Sequence, residues 1–116
     1  MQSKITDQRI IAVSQVVLKA AKETLGDKLE KVILYGSYAR GDHDHESDID
    51  FFILADVPQD EASIQREAVR NCIPNVDLEY DINVSLHVTG KEIFNKFMNT
   101  LPFYINIVKE GVILDG

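Results

Sequence analysis

Apolar residues along this chain fall into two rhythms. Between residues 7 and 25, Ile10, Val13, Val17, Ala20 and Ala21 recur at helical spacing, and Gly26 follows as a stop. Residues 31–36 are rich in β-branched and aromatic types and read as a strand. A second strand is expected over 48–54, where Phe51-Phe52-Ile53-Leu54 forms a short apolar run. Pro58 breaks the chain, and residues 60–72, with Ile64, Ala68 and Val69, read as a helix. Pro74-Asn75 then turns into a third strand over 77–88. In it Ile82, Val84, Leu86 and Val88 alternate with Asp81, Asn83, Ser85 and His87. Thr89-Gly90-Lys91-Glu92 matches a capping box and predicts a helix from Gly90. Pro102 can open a fourth helix, Gly111 can end it, and Val112-Ile113-Leu114 suits a short last strand. The helical stretch Phe94, Phe97, Met98, Leu101, Phe103, Tyr104, Ile107 reads mostly as core, and any part left exposed would mark a partner surface. Strands and helices in this order give an α/β (α+β) class.

Composition narrows the setting. With 116 residues the chain is expected to form a single domain, 1–116, with a modest core. It is 45% hydrophobic and 27% charged, ordinary for a globular protein. No apolar run reaches membrane-spanning length, and Met1-Gln2-Ser3-Lys4 does not begin a signal peptide, so a cytoplasmic location is expected. The one cysteine, Cys72, excludes an internal disulfide and is expected as small core filler at a helix end. A net charge of −7 without a basic stripe argues against nucleic acid as a partner and permits a basic protein.

Two short segments carry chemistry. Tyr35-Gly36-Ser37 ends the first strand in a turn. Gly36 allows positive φ and a close ligand approach, Ser37 offers a hydroxyl and an N–H, and Arg40 can add a cation to bound phosphates. Asp48-Ile49-Asp50 opens the second strand, so the two carboxylates share a face, with Cα atoms roughly 6.5–7 Å apart. Asp is disfavoured in strands and two on one face repel, so a bound cation would explain the pair. Ile49 and Phe51 should face the buried side. His43-x-His45, flanked by acids, reads as solvated loop charge rather than a zinc site, and His87 as a surface histidine.

The pattern Gly36-Ser37-Tyr38-Ala39-Arg40-Gly41 … Ser47-Asp48-Ile49-Asp50 resembles the signature of the DNA polymerase beta-type nucleotidyltransferase superfamily, in particular its minimal stand-alone members. The resemblance implies a small mixed sheet with helices on one face, ATP or another nucleoside triphosphate as donor, and Mg²⁺ on Asp48 and Asp50. Gly36, Ser37, Arg40 and Ser47 form the candidate nucleotide-binding set. Active members usually carry a third carboxylate on a later strand, and the matching position here holds Ser85. Asp81, or Glu79 in another register, is the candidate substitute, so the catalytic set is Asp48, Asp50 and Asp81. Stand-alone members are often paired with a small helical HEPN toxin. The resemblance therefore implies an antitoxin that transfers AMP onto a tyrosine of that partner. Two alternatives remain open: a degenerate module that masks its partner by contact, and a small-molecule nucleotidyltransferase whose cleft would need a homo-oligomer.

Overall fold

The computed structural model describes residues 7–44 and 46–114. Helix α1 (Gln8–Leu25) starts where the Asp7 carboxylate accepts the N–H of Arg9 at 2.9 Å, and ends at Gly26 in a positive-φ conformation. Strand β1 (Leu29–Tyr35) leads into a one-turn helix α2 (Ser37–Arg40). Strand β2 (Ile49–Ala55), helix α3 (Ala62–Asn71), a short helix α4 (Val76–Tyr80) and strand β3 (Val84–Gly90) follow. Helix α5 (Lys91–Phe97), helix α6 (Pro102–Glu110) and strand β4 (Val112–Leu114) complete the order. Pro102 and Gly111 bound α6 as the sequence predicts.

The strands form one mixed sheet in the order β3-β2-β1-β4. β1 pairs antiparallel with β2 and with β4, and β2 pairs parallel with β3. Alternation sends Val32, Leu34, Ile49, Phe51, Ile53, Val84, Leu86 and Val88 to one face, where Ile10, Val13 and Val17 of α1, Val69 of α3 and Val76 of α4 join them. Ile33, Phe52 and Leu54 face the other way and meet Phe94 of α5 with Tyr104 and Ile107 of α6. The main helical layer thus covers one face, and the C-terminal pair adds a smaller cover on the other. Asp50 stands on this second face, in line with Phe52.

Three local expectations are corrected. The third strand begins at Val84, not near 77, because residues 76–80 form α4. Pro74-Asn75 turns the chain, and Asp77 and Glu79 then stand near a helix start, where acids are favoured. Val76 is buried while Leu78 is 86% exposed. Thr89-Gly90-Lys91-Glu92 forms no capping box. The cap residue of α5 is Gly90 and not Thr89, whose hydroxyl is buried at the end of β3 without a hydrogen-bond partner, while the Gly90 N–H is donated to Gln59 Oε1 at 2.7 Å. Cys72 is exposed at the end of α3, with its Sγ 3.5 Å from Thr24 Oγ1, so it does not fill the core.

Asp77 anchors the start of β3. Its carboxylate accepts the Val84 N–H at 2.9 Å and pairs with the Arg70 guanidinium at 3.0 Å. Partial burial would raise its pKa, but the bonds from Val84 and Arg70, with the charge of Arg70, outweigh this and hold the carboxyl below its ordinary value. A depressed folded pKa gives stability that is present above the unfolded value and lost as pH falls through the folded one. Asp77→Ala is therefore expected to cost about 1–3 kcal/mol at neutral pH, read as a lower urea midpoint. The gap to wild type should shrink below about pH 4, where the unfolded carboxyl protonates.

Candidate active site

The candidate site lies where β1 ends and β2 begins. The chain leaves β1 at Tyr35, turns at Gly36 with φ 76° and ψ −156°, and enters α2 at Ser37. That conformation belongs to the region open essentially to glycine alone. A second reason for glycine is space: a Cβ at this position would stand 2.4 Å from Asp50 Oδ2. Gly36 therefore lets the backbone turn pass directly over the Asp50 carboxylate; the sequence predicts the freedom to turn and a close ligand approach, but not this contact with Asp50. In the first turn of α2 the Ala39 and Arg40 N–H groups are both donated to the Gly36 carbonyl at 3.1 Å, so the donors that this turn can offer a ligand are those of Ser37 and Tyr38.

Asp48 is exposed, just before β2, and Asp50 is half-buried at its second residue. Ile49 and Phe51 between and after them are fully buried on the opposite face, as the alternation predicts. Burial raises the Asp50 pKa, the neighbouring Asp48 charge raises it further, and Arg40 partly offsets both. Tyr35 stands opposite Asp50 in the β1–β2 ladder, and burial together with the Asp50 charge pushes its phenol up to about 12. Tyr35 also meets Phe103 edge-on at 5.6 Å, which ties the site to α6. Sequence reasoning treated Tyr35 only as a strand former; its position one residue before Gly36 was the available signal.

Arg40 lies at the end of α2, with Nε 3.1 Å from Asp42 and Nη1 3.5 Å from Glu110. Both partners are exposed, so these pairs are weak and exchangeable. Ser47 is half-buried before Asp48; its hydroxyl accepts the Asp44 N–H at 3.0 Å, which shapes the loop entering β2.

The third carboxylate is the point of departure. Ser85 is the register partner of Asp50 across the parallel β2–β3 pair, so the residue at the matched position is a hydroxyl. Asp81 is not on that strand. It ends α4 in the left-handed region at φ 51°, is exposed, and shares a polar cleft of about 250 Å³ with Ser47 and Asn83, the residues flanking Asp48 and β3. Glu79 lines a different cleft with Val16 and Cys72. Among the described residues no group of three or more His, Cys, Asp and Glu side chains could hold a metal ion. Neither acid therefore completes a triad with Asp48 and Asp50. His43 stacks on Tyr38 at 4.0 Å, and its zinc partner in the sequence pattern, His45, lies outside the described residues.

The chain that carries this site is similar to known proteins. The family model described as "Nucleotidyltransferase domain" covers residues 15–114. The chain belongs to the nucleotidyltransferase family. Two relatives from Methanocaldococcus jannaschii carry the names "Putative protein adenylyltransferase" MJ0604 and MJ0141. The first is 36% identical over 84% of this chain and 89% of its own length, the second 36% over 82% and 94%. A solved structure described as a toxin–antitoxin with AMP-PNP shares the fold at TM-score 0.58 and 23% identity, over 89% of this chain and 73% of that one. A variant of the toxin–antitoxin MntA–HpeT does so at TM-score 0.56 and 20% identity, over 89% and 72%. Among the described residues of this nucleotidyltransferase, no helix is long and apolar enough to cross a membrane.

Proposed function

We propose that this nucleotidyltransferase transfers AMP from ATP to a hydroxyl of a protein partner, using Asp48 and Asp50 with Mg²⁺. The observation that carries the reading is the Gly36 turn lying directly against the Asp50 carboxylate. It sets a turn whose geometry suits a phosphate against a carboxylate whose chemistry suits a cation. The names of the two archaeal relatives support a protein acceptor, and the toxin–antitoxin structures of the same fold support a toxin as the partner. That this toxin is a small helical protein of HEPN type is what the resemblance of the Gly36-Ser37 and Asp48-x-Asp50 motifs implies.

The residues present suit Mg²⁺. Asp48 and Asp50 offer hard oxygen donors; burial and then the Asp48 charge raise the Asp50 pKa, and a cation would offset both. Mg²⁺ is commonly held by one or two carboxylates together with substrate phosphates and retained waters, so a two-carboxylate set is sufficient for one ion. When bound there, it would neutralise phosphate charge and polarise the reacting centre.

The chain's own groups do the rest. The Ser37 and Tyr38 N–H groups and the Ser37 hydroxyl hold the triphosphate, with Ser47 on the loop opposite. Arg40 exchanges its exposed carboxylate partners for phosphate. The acceptor oxygen forms a bond to the α-phosphorus, and the bond from that phosphorus to the β-phosphate oxygen breaks, its electron pair leaving with pyrophosphate. Positioning and charge stabilisation supply most of the rate.

The test is transfer of label from α-labelled ATP to the small helical partner in the presence of Mg²⁺. Label on the partner supports the reading, and its absence from an intact complex contradicts it. A second reading is favoured by one observation, the hydroxyl of Ser85 beside Asp50 where the family places a carboxylate. Under it the protein masks its partner by contact, and partner affinity would be indifferent to both ATP and the Asp pair.

A further inference from the structure

The acceptor hydroxyl must lose a proton when it attacks, and among the described residues no third carboxylate joins Asp48 and Asp50, the position level with Asp50 on β3 being Ser85. The face that carries Asp50 and Ser85 continues along β3 to His87. Ser85 is level with Asp50 and His87 with Phe52, one same-face step further, roughly 6.5–7 Å along the strand. His87 is exposed on that face, yet its ring is not loose. It stacks on Phe52 at 5.6 Å with 12° between the planes, and meets Phe103 of α6 edge-on at 5.1 Å. Phe103 in turn contacts Tyr35, the neighbour of Asp50. An exposed, oriented imidazole therefore stands beside the gap left by Ser85.

We propose that His87 is the proton acceptor for the attacking hydroxyl. The inference rests on the transferase reading above. In the step, the hydroxyl proton passes to a ring nitrogen of His87, directly or through one water. The acceptor oxygen bonds to the α-phosphorus, and pyrophosphate leaves with the electrons of the broken bond. The imidazolium returns its proton to solvent across the exposed edge.

The protonation state is consistent with this role. Burial of the ring face against its aromatic neighbours, and then the positive charge of Arg66, lower the His87 pKa from its ordinary value. The imidazole is therefore neutral, and able to accept, at neutral pH. The charged and titratable groups around it are Arg66 from α3, Asp50 along β2 and Tyr35 beyond Phe103. Of these only Asp50 titrates on the acidic side, and it does so from a lower starting value.

The test compares wild type with His87→Gln, which removes the base, and His87→Phe, which keeps the aromatic stack. Transfer of label from α-labelled ATP to the helical partner is measured from pH 5 to 8, with melting curves for both variants. Both variants are expected to lower kcat about a hundredfold, at the lower end of general-base effects. KM for ATP should be little changed, and the fall in rate on acidification that wild type shows near the His87 pKa should be absent. A histidine resonance titrating below pH 6.5 in wild type and missing from both variants would assign that limb. The result that overturns the proposal is a folded His87→Phe enzyme with the wild-type rate and pH profile. Absence of transfer by wild type itself overturns the transferase reading, and this proposal with it.

Discussion

Asp48→Asn and Asp50→Asn, singly or together, are expected to lower AMP transfer by about 10²–10³-fold or more, while leaving the fold intact. The magnitude is that of removing one group aimed at developing charge in a preorganised site. The more telling part is the expected sign on stability. Without nucleotide and metal, ionised Asp50 is held against desolvation and the Asp48 charge, which raise its pKa. A raised folded pKa in an acid means that ionisation costs stability, and the cost is present above the folded pKa and relieved as pH falls through it. The Asp50→Asn protein should therefore melt at the wild-type temperature or higher at pH 7, and the difference should disappear at acidic pH. A core or capping residue would behave in the opposite way, as Asp77 does. Melting curves at pH 7 and pH 4 beside the transfer assay check both halves.

Gly36→Ala is the second large expectation, and it couples stability to activity. A residue other than glycine in the backbone region of Gly36 costs about 1–3 kcal/mol. In addition the new Cβ would stand 2.4 Å from Asp50 Oδ2, so the carboxylate must move. Displacing a metal-binding carboxylate by even a fraction of an ångström disturbs the positioning on which phosphoryl transfer depends. Loss of activity comparable to Asp50→Asn is expected, together with a lower melting temperature that Asp50→Asn does not show. Restoring space by combining Gly36→Ala with Asp50→Ala should recover part of the stability and none of the activity, because the two changes share one contact.

The site was legible in the sequence where the chemistry is local. The alternation through Ile49, Asp50 and Phe51 fixes which side the carboxylates take, and the structure buries Ile49 and Phe51 as expected. The glycine turn after β1 follows from the residue types at 35–37. The long-range pairings were not legible. Only the parallel register between β2 and β3 shows that Ser85 stands level with Asp50. The boundary of β3 was missed because Asp77, Glu79 and Asp81 fit an alternating pattern on paper. The decisive partner, the bond from Val84 N–H to the Asp77 carboxylate, joins residues that a strand reading would leave extended. Thr89 likewise satisfies a capping motif in sequence, but β3 runs through it to Gly90 and buries it, and Gly90, tied to Gln59, becomes the cap residue. In each case tertiary structure outweighed a local propensity.

The aromatic cluster on the second face has the same origin. Phe94 and Tyr104 were expected as core, and they cover Phe52. Phe103 remains 40% exposed beside the site, and Ile105 and Val108 on the same helix, with Leu101 just before it, are exposed too. Their spacing alone did not separate the buried from the exposed members, because two helices share the stretch.

The most direct measurement follows the label. The protein, its small helical partner and Mg²⁺ are incubated with ATP labelled at either the α- or the γ-phosphate, using wild type and the Asp48→Asn/Asp50→Asn double variant. The account predicts α-label on the partner, none from γ-labelled ATP, and loss of the signal in the double variant. Label arriving from the γ-phosphate, or α-label that persists in the double variant, would contradict it.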